Sequence, residues 1–292
     1  MMNAQIKENQ FEQNCINKFY PPAVIKRAKE WKGGIIFASA HSGSIYPDAF
    51  IERTDLAIKQ LRRNEDAFIT NLFSPAPDLG APLIEANFPR CFVDVNRASN
   101  ELPSFWQTDG KIISSRAEIG MGVVPTMLSE TINIYSEPLS LTAAKIRIKD
   151  LYHPYHDALQ GLIGEARSLF GKVLLIDCHS MPGFNSMGSR RSDIILGDRF
   201  GKSCSPEIVM LIEKLFQGLG YSVSRNYPYA GGFVTKHYGK PYESANALQI
   251  EINRDLYLNP ITLDKKPGFT ALAKNISRII NSIIKEVTAL NL

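Results

Sequence analysis

At 292 residues, with 44% hydrophobic and 21% charged residues, the chain has an ordinary globular composition and length enough to bury about three-quarters of its unfolded surface. The net charge of +4 is dispersed without a block of like charges, which argues against a nucleic-acid-binding arm. No apolar run approaches the ~20 residues of a membrane span, and the polar start "MMNAQIKENQFEQN" lacks the apolar core of a signal peptide.

In chain order, the first predicted strand is Gly34 to Ala40, "GIIFASA", which runs into "HSG" and His41. A helical stretch follows from Asp55 to Leu72 and carries Glu65 and Asp66 in "RRNEDAF". The second strand is Cys91 to Val95, "CFVDV", followed by Asn96 and Arg97. Ser99 to Arg116 has weak periodicity and reads as a long loop, a length more often functional than accidental. A helix from Leu141 to Phe170 contains His153, His156 and Pro154, and the proline should kink or interrupt it. The third strand, Lys172 to Asp177, opens into "CHSMPG" and then "SRRSD" with Arg190 and Arg191. A helix from Pro206 to Leu219, a strand from Tyr221 to Asn226 and a Gly- and aromatic-rich loop with His237 come next. The strand Ala247 to Ile252, "ALQIEI", precedes a last helix, Gly268 to Leu290, whose Leu272, Ile276, Ile279, Ile280 and Ile283 form an apolar stripe.

Helices alternating with nearly continuous apolar strands predict an α/β fold with a mainly parallel sheet covered on both faces. Sites in such sheets gather beyond the carboxyl ends of strands, where "HSG", "NR" and "CHSMPG" all fall. His41 and His179 are either turn histidines or metal ligands. Two imidazoles at two strand ends put the metal on a par with the turn reading, and a catalytic zinc takes three protein ligands and keeps one open position. Glu65 and Asp66 offer the third ligand or merely a solvated helix face. Alternation along an extended segment puts Asp177 and His179 on one face and Cys178 on the other, so the thiol reads as buried and inert. Asp177 then supports the His179 ring. Ser42 and Ser180 adjoin histidines but lack a G-x-S-x-G elbow.

Gln249, Glu251 and Asn253 share one face of their strand, with Ile250 and Ile252 on the other. A carboxylate there is a general base or the partner of a cation such as Arg254. Arg97, Arg190 and Arg191 suit carboxylate recognition or simply the surface. His153 and His156 read as supporting residues, and His237 as a substrate contact on a hinged loop. The four cysteines, Cys15, Cys91, Cys178 and Cys204, form no close pair, a pattern that fits a reduced, cytoplasmic compartment.

The segments "HSGSIYP", "RRNEDAF", "FVDVNR", "GMGVVP", "YHPYHDAL", "LLIDCHSMP", "DIILGDRFG", "NYPYAGGFVTKHYG" and "ALQIEINR", in this order, resemble the N-formylglutamate amidohydrolase family of zinc-dependent amide hydrolases. The resemblance runs from about residue 34 to residue 258. It implies one domain over residues 1–292, a three-layer α/β/α fold of phosphorylase/hydrolase-like type similar to the zinc carboxypeptidases. It implies one Zn2+ per chain, held by His41, His179 and Asp66, with Glu65 the other candidate acid. Glu251 then resembles the base that activates water, and Arg97 a clamp for a substrate carboxylate, with Asn96, Arg190, Arg191 and His237 as further substrate contacts. The implied reaction splits the formyl amide of N-formyl-L-glutamate, or of a similar N-acyl acidic amino acid, into formate and the free amino acid, a step of histidine catabolism. The implied partner is thus a small acidic amino-acid derivative, with no nucleic acid and no membrane. A carboxypeptidase-like peptidase or aminoacylase with the same metal core, or a metal-free binding protein for an acidic ligand, are the alternatives. Two departures stand out: Ala40 occupies a position where the family often has Pro, and Asn246 one where a histidine is expected.

Overall fold

The structure, a computed structural model, describes residues 2–107 and 114–289, with side chains from residue 7 onward. The chain forms two compact units: Met1–Val24, Ala40–Glu65 and Ala86–Ala158 make the first, and Ile25–Ser39, Asp66–Glu85 and Leu159–Leu292 the second.

The second unit is built on a seven-stranded sheet. Its strands are β1 (Ala23–Lys26), β2 (Ile35–Ser39), β3 (Leu83–Ala86), β6 (Val173–Met181), β7 (Ile194–Gly197), β8 (Val223–Arg225) and β9 (Ala245–Asn253), in the spatial order β1-β3-β2-β6-β9-β7-β8. β2 runs parallel to β3 and β6, β6 parallel to β9, and β7 parallel to β8, while β7 meets β9 antiparallel. Every residue of β2, β6, β7 and β9 is buried, which accounts for their largely apolar character.

Side-chain parity divides this sheet. On one face, Ile35, Phe37, Leu174, Ile176, Cys178, Leu248, Ile250 and Ile252 join the core with the helices Ile69–Phe73, Pro206–Gly218 and Gly268–Ala289. The predicted stripe of the last helix is buried there throughout. The helix Phe233–Tyr238 packs on β9 and β6, and the residue before it bonds Gln249 on the opposite face. Helices thus cover both faces of a mixed, mainly parallel sheet, the layered α/β architecture expected from the alternation of elements.

Three expectations need correction. Cys91–Val95 is not a strand: the Pro89 carbonyl accepts from the Phe92 and Val93 amides, and the Asp94 side chain accepts from the Asn96 amide, so local turns win over a ladder. The strands β3 and β7, which apolar counting overlooked, supply the missing pairing. Asp55–Leu72 is no continuous helix. Only Ile58–Leu61, the 3₁₀ turn Arg62–Asn64 and Ile69–Phe73 are helical, because Glu65 is extended and Phe68 is left-handed at φ 64°. The Ala67 carbonyl is engaged by the Tyr257 hydroxyl at 3.0 Å instead of by a helical amide. Finally, the helix around Pro154 is not broken but widened, with a π turn at Ile148–Tyr152 leading into His153–Phe170. A proline lacks the N–H for the Asp150 carbonyl and crowds it, which the wider turn relieves. Of the Ser99 to Arg116 loop, residues 108–113 lie outside the described residues.

The first unit contains the helices Met2–Lys18 and Leu141–Arg147 and the hairpin of β4 (Met127–Ser129) and β5 (Ile132–Asn133). Its centre is charged. Arg147 is fully buried, paired through Nε and Nη2 with Glu12 at 2.7 and 2.9 Å, and its guanidinium lies 3.6 Å from the Phe92 ring centroid. Among the described residues, no helix is long and apolar enough to cross a membrane.

Two predictions follow from this packing. Replacing Glu12 by Ala strands a buried guanidinium and lowers stability by about 3–5 kcal/mol, read by chemical denaturation. An unchanged midpoint would show that the pair is not the keystone of this unit. All four cysteines are free and buried, and burial pushes the Cys15 and Cys91 thiols up to about 12 and those of Cys178 and Cys204 further. A thiol-reactive disulfide reagent should therefore label none of them in the native protein and all four after unfolding. Rapid labelling of Cys178 in the native state would return it to the list of nucleophiles.

Candidate active site

β6 and β9 lie side by side in register, with Asp177 opposite Gln249 and His179 opposite Glu251. Parity sends these four side chains to the face away from the core cluster. His179 is held at both ring nitrogens: Nδ1 lies 2.8 Å from Asp66 Oδ2, and Nε2 lies 2.9 Å from Asp177 Oδ2. Burial opposes charge on this imidazole, but Asp177 and Asp66 outweigh it and hold its pKa well above the ordinary histidine value. The second oxygen of Asp66 accepts from the Ser180 hydroxyl at 2.9 Å and from Arg254 Nη2 at 3.0 Å. Arg254 Nε also donates to Ser180 Oγ, at 2.9 Å, so the cation sets both the hydroxyl and the carboxylate.

Glu251 is 7% exposed. Its Oε1 accepts from Gln249 Nε2 at 2.9 Å, while its Oε2 has no hydrogen-bond partner among the described residues. Burial and the neighbouring carboxylates of Asp66 and Asp177 push its pKa up to about 7, against the pull of His179 and Arg254. A buried carboxylate held by one oxygen, with the other unsatisfied and an affinity for protons near neutrality, has the properties of a general base. Arg254 ion-pairs with Asp66 at 3.0 Å.

In the first unit, His41 Nε2 lies 2.7 Å from Asp94 Oδ1. Asp94 also accepts from Arg90 Nη2 at 2.8 Å and from the Asn96 amide at 2.9 Å. Burial would raise its pKa, yet Arg90 first, then His41, hold the carboxyl well below the usual range. An ionised Asp94 fixes the proton of His41 on Nε2 and assigns Nδ1 the acceptor lone pair. The glycine after this histidine is obligatory in its own way, since a Cβ on Gly43 would stand 2.1 Å from the Phe88 carbonyl oxygen. Arg97 Nε and Nη1 lie 3.8 and 3.9 Å from Asp94 and Glu101, attraction without a hydrogen bond, and its side chain is partly exposed. Its carbonyl accepts from the Tyr152 hydroxyl, and the Val95 carbonyl lies 2.9 Å from His156 Nε2, so this helix steadies the "DVNR" turn. Glu65 is tied to Arg62 at 3.1 Å, whereas Asp66 is tied to His179.

The remaining candidates scatter. Arg190 is exposed and paired with Asp193 at 2.8 Å, and Arg191 caps the carbonyls of Pro182 and Phe184 with its guanidinium 5.7 Å from the Tyr229 ring centroid. His237 is exposed and stacks on Phe233. Asn246 points to the core-side face, where its side chain accepts from the Ser205 amide and so holds the chain just before the helix Pro206–Gly218. Periodicity alone gives no sign of Asp94 and Arg254 as partners of the site, because both act across long sequence separations. Gln249 was legible from parity, sharing its face with Glu251.

The sequence matches the family model for N-formylglutamate amidohydrolase over residues 33–258. It is 26% identical over 231 residues to the N-formylglutamate deformylase of Pseudomonas putida, covering 77% of this chain and 81% of that protein. It is 27% identical over 227 residues to the enzyme of the same name from Pseudomonas aeruginosa, covering 76% and 79%. The crystal structure of N-formylglutamate amidohydrolase from Ralstonia eutropha JMP134 superposes with a TM-score of 0.86 at 30% identity, over 92% of this chain and 99% of that one. A protein of Agrobacterium tumefaciens shares the fold at 20% identity with a TM-score of 0.67, over 91% and 96% of the two chains. The chain belongs to the N-formylglutamate amidohydrolase family and is an amidohydrolase enzyme.

Proposed function

We propose that the chain acts as one domain that hydrolyses the formyl amide of N-formyl-L-glutamate, or of a closely related N-acyl acidic amino acid, with one zinc ion held by His41, Asp66 and His179. The observation that carries this reading is Glu251, a buried carboxylate with one oxygen secured, one oxygen without a partner, and His179 beside it in register. The donor set fits the metal. His41, Asp66 and His179 are each buried, and two imidazoles with a carboxylate are the right chemistry for zinc. Each imidazole is backed by a second carboxylate, Asp94 on His41 and Asp177 on His179, the support that keeps a ligand's tautomer and orientation fixed. Glu65 is less suited, being committed to Arg62.

When bound, the metal supplies Lewis acidity toward the amide carbonyl and lowers the pKa of a water in reach. Glu251 takes a proton from the attacking water at Oε2 as the water oxygen bonds to the formyl carbon. It then passes that proton to the amide nitrogen as the carbon–nitrogen bond breaks, which releases formate and the free amino acid. Arg97, with its guanidinium in no hydrogen bond to Asp94 or Glu101, is the residue suited to hold a substrate carboxylate. Asn96 stands beside it as a further substrate contact. Arg191 is the second cation candidate, since Arg190 is neutralised by Asp193 at the surface. His237 keeps only a peripheral role in substrate contact.

Formate release from N-formylglutamate tests the reading. The chelator-treated protein should be inactive, and zinc should restore it. Glu251→Gln should lower kcat by about 10²- to 10⁴-fold while retaining one zinc. His179→Ala should lose zinc and activity together. Near-wild-type turnover in Glu251→Gln or His41→Ala would overturn the mechanism. Cleavage of short peptides, with no formate released by the zinc-loaded enzyme, would replace the substrate by that of a peptidase.

A further inference from the structure

Two matching segments, "DIILGDRFG" and "NYPYAGGF", play no part in the chemistry above, yet their backbone is tightly constrained. Arg199, Phe200 and Asn226 are all left-handed, at φ 55°, 58° and 60°, although none is glycine. Asn226 fastens them: Nδ2 donates to Asp198 Oδ1 at 2.6 Å, and Oδ1 accepts from the Asp198 and Phe200 amides at 3.1 and 3.3 Å. The Arg199 amide then donates to the Ala230 carbonyl at 2.8 Å. Gly197 permits the approach, since a Cβ there would stand 2.9 Å from the Tyr229 carbonyl oxygen and 2.8 Å from the Ala230 carbonyl carbon. Strain of this kind persists only where the surroundings hold it in place, and it gathers near working sites.

The product of this bracing is a fixed Gly232 amide, which donates to Gln249 Oε1 at 3.1 Å. Gln249 is 4% exposed. A side-chain amide has two ends, and a backbone N–H can donate only to its oxygen: the oxygen faces Gly232, so the NH2 faces Glu251. We propose that Gln249 is the positioning residue of Glu251, holding Oε1 so that Oε2 is the oxygen presented to the reacting atoms, with the Asp198–Gly201 and Asn226–Gly232 loops setting its orientation. This rests on Glu251 acting as the base.

Two variants separate the two bonds of Gln249. Gln249→Leu removes both, whereas Gln249→Glu keeps an acceptor for the Gly232 amide and replaces the donor to Glu251 by a carboxylate. In the zinc-loaded full chain, both should lower kcat for formate release by about 10- to 100-fold, with KM within about twofold of wild type and one zinc retained. Asn226→Gly keeps the left-handed backbone but loses the side-chain bridge, and should lower kcat by a smaller factor at unchanged KM. It serves as the readout if a Gln249 variant does not fold. Wild-type kcat in Gln249→Glu, or in Asn226→Gly where that is the only folded variant, would overturn the assignment, as would a change confined to KM. A zinc-loaded wild type that releases no formate would instead overturn the proposed function, and this assignment with it.

Discussion

Charge inside a protein is tolerated only when it is paired, neutralised or put to use, and that constraint shapes both units. Asp177, His179, Glu251, Asp66, Asp94 and His41 are all below 10% exposed. An isolated charge in such a place would cost more than the fold's whole margin of stability. The solution is a set of pairs: Asp94 with Arg90 and His41, Asp66 with Arg254 and His179, Asp177 with His179. Glu251 is the exception. Its Oε1 accepts from a neutral amide, and burial raises its proton affinity.

The pairs also explain why the supporting residues are as demanding as the proposed ligands. Asp66 bonds His179 through one oxygen because Ser180 and Arg254 occupy the other. His41 has its Nε2 turned toward Asp94, whose own orientation depends on Arg90 and the Asn96 amide. Each of these side chains is thus held in one orientation. A site assembled from residues with several equivalent rotamers would lose this definition, and with it the geometry that catalysis needs.

Much of this was legible in the sequence, and the reason is periodicity. Alternation alone put Cys178 with the core and Asp177, His179, Gln249 and Glu251 on the other side, and the helical stripe of Leu272 to Ile283 named the cover of the core face. What periodicity could not carry was anything set by local side-chain bonding or by distant partners. Cys91–Val95 is apolar enough for a strand, but Asp94 folds back on the Asn96 amide. Asp66 sits in a stretch with helical composition, yet the Ala67 carbonyl is claimed by Tyr257, far along the chain. Arg254 reads as a partner for Glu251 on the same short stretch, yet it bonds Asp66, 188 residues away.

The in-register pairing of β6 with β9 has a consequence for how such a chain can diverge. Because the side-chain repeat of a strand is two, inserting or deleting one residue anywhere in Val173–Met181 would exchange the buried apolar row with the row carrying Asp177 and His179. The same holds for Ala245–Asn253. Substitutions can accumulate in these strands one at a time, but changes of length cannot, except in pairs. Relatives that differ at seven positions in ten should therefore keep the lengths of these two segments, and insertions should collect in the loops between them.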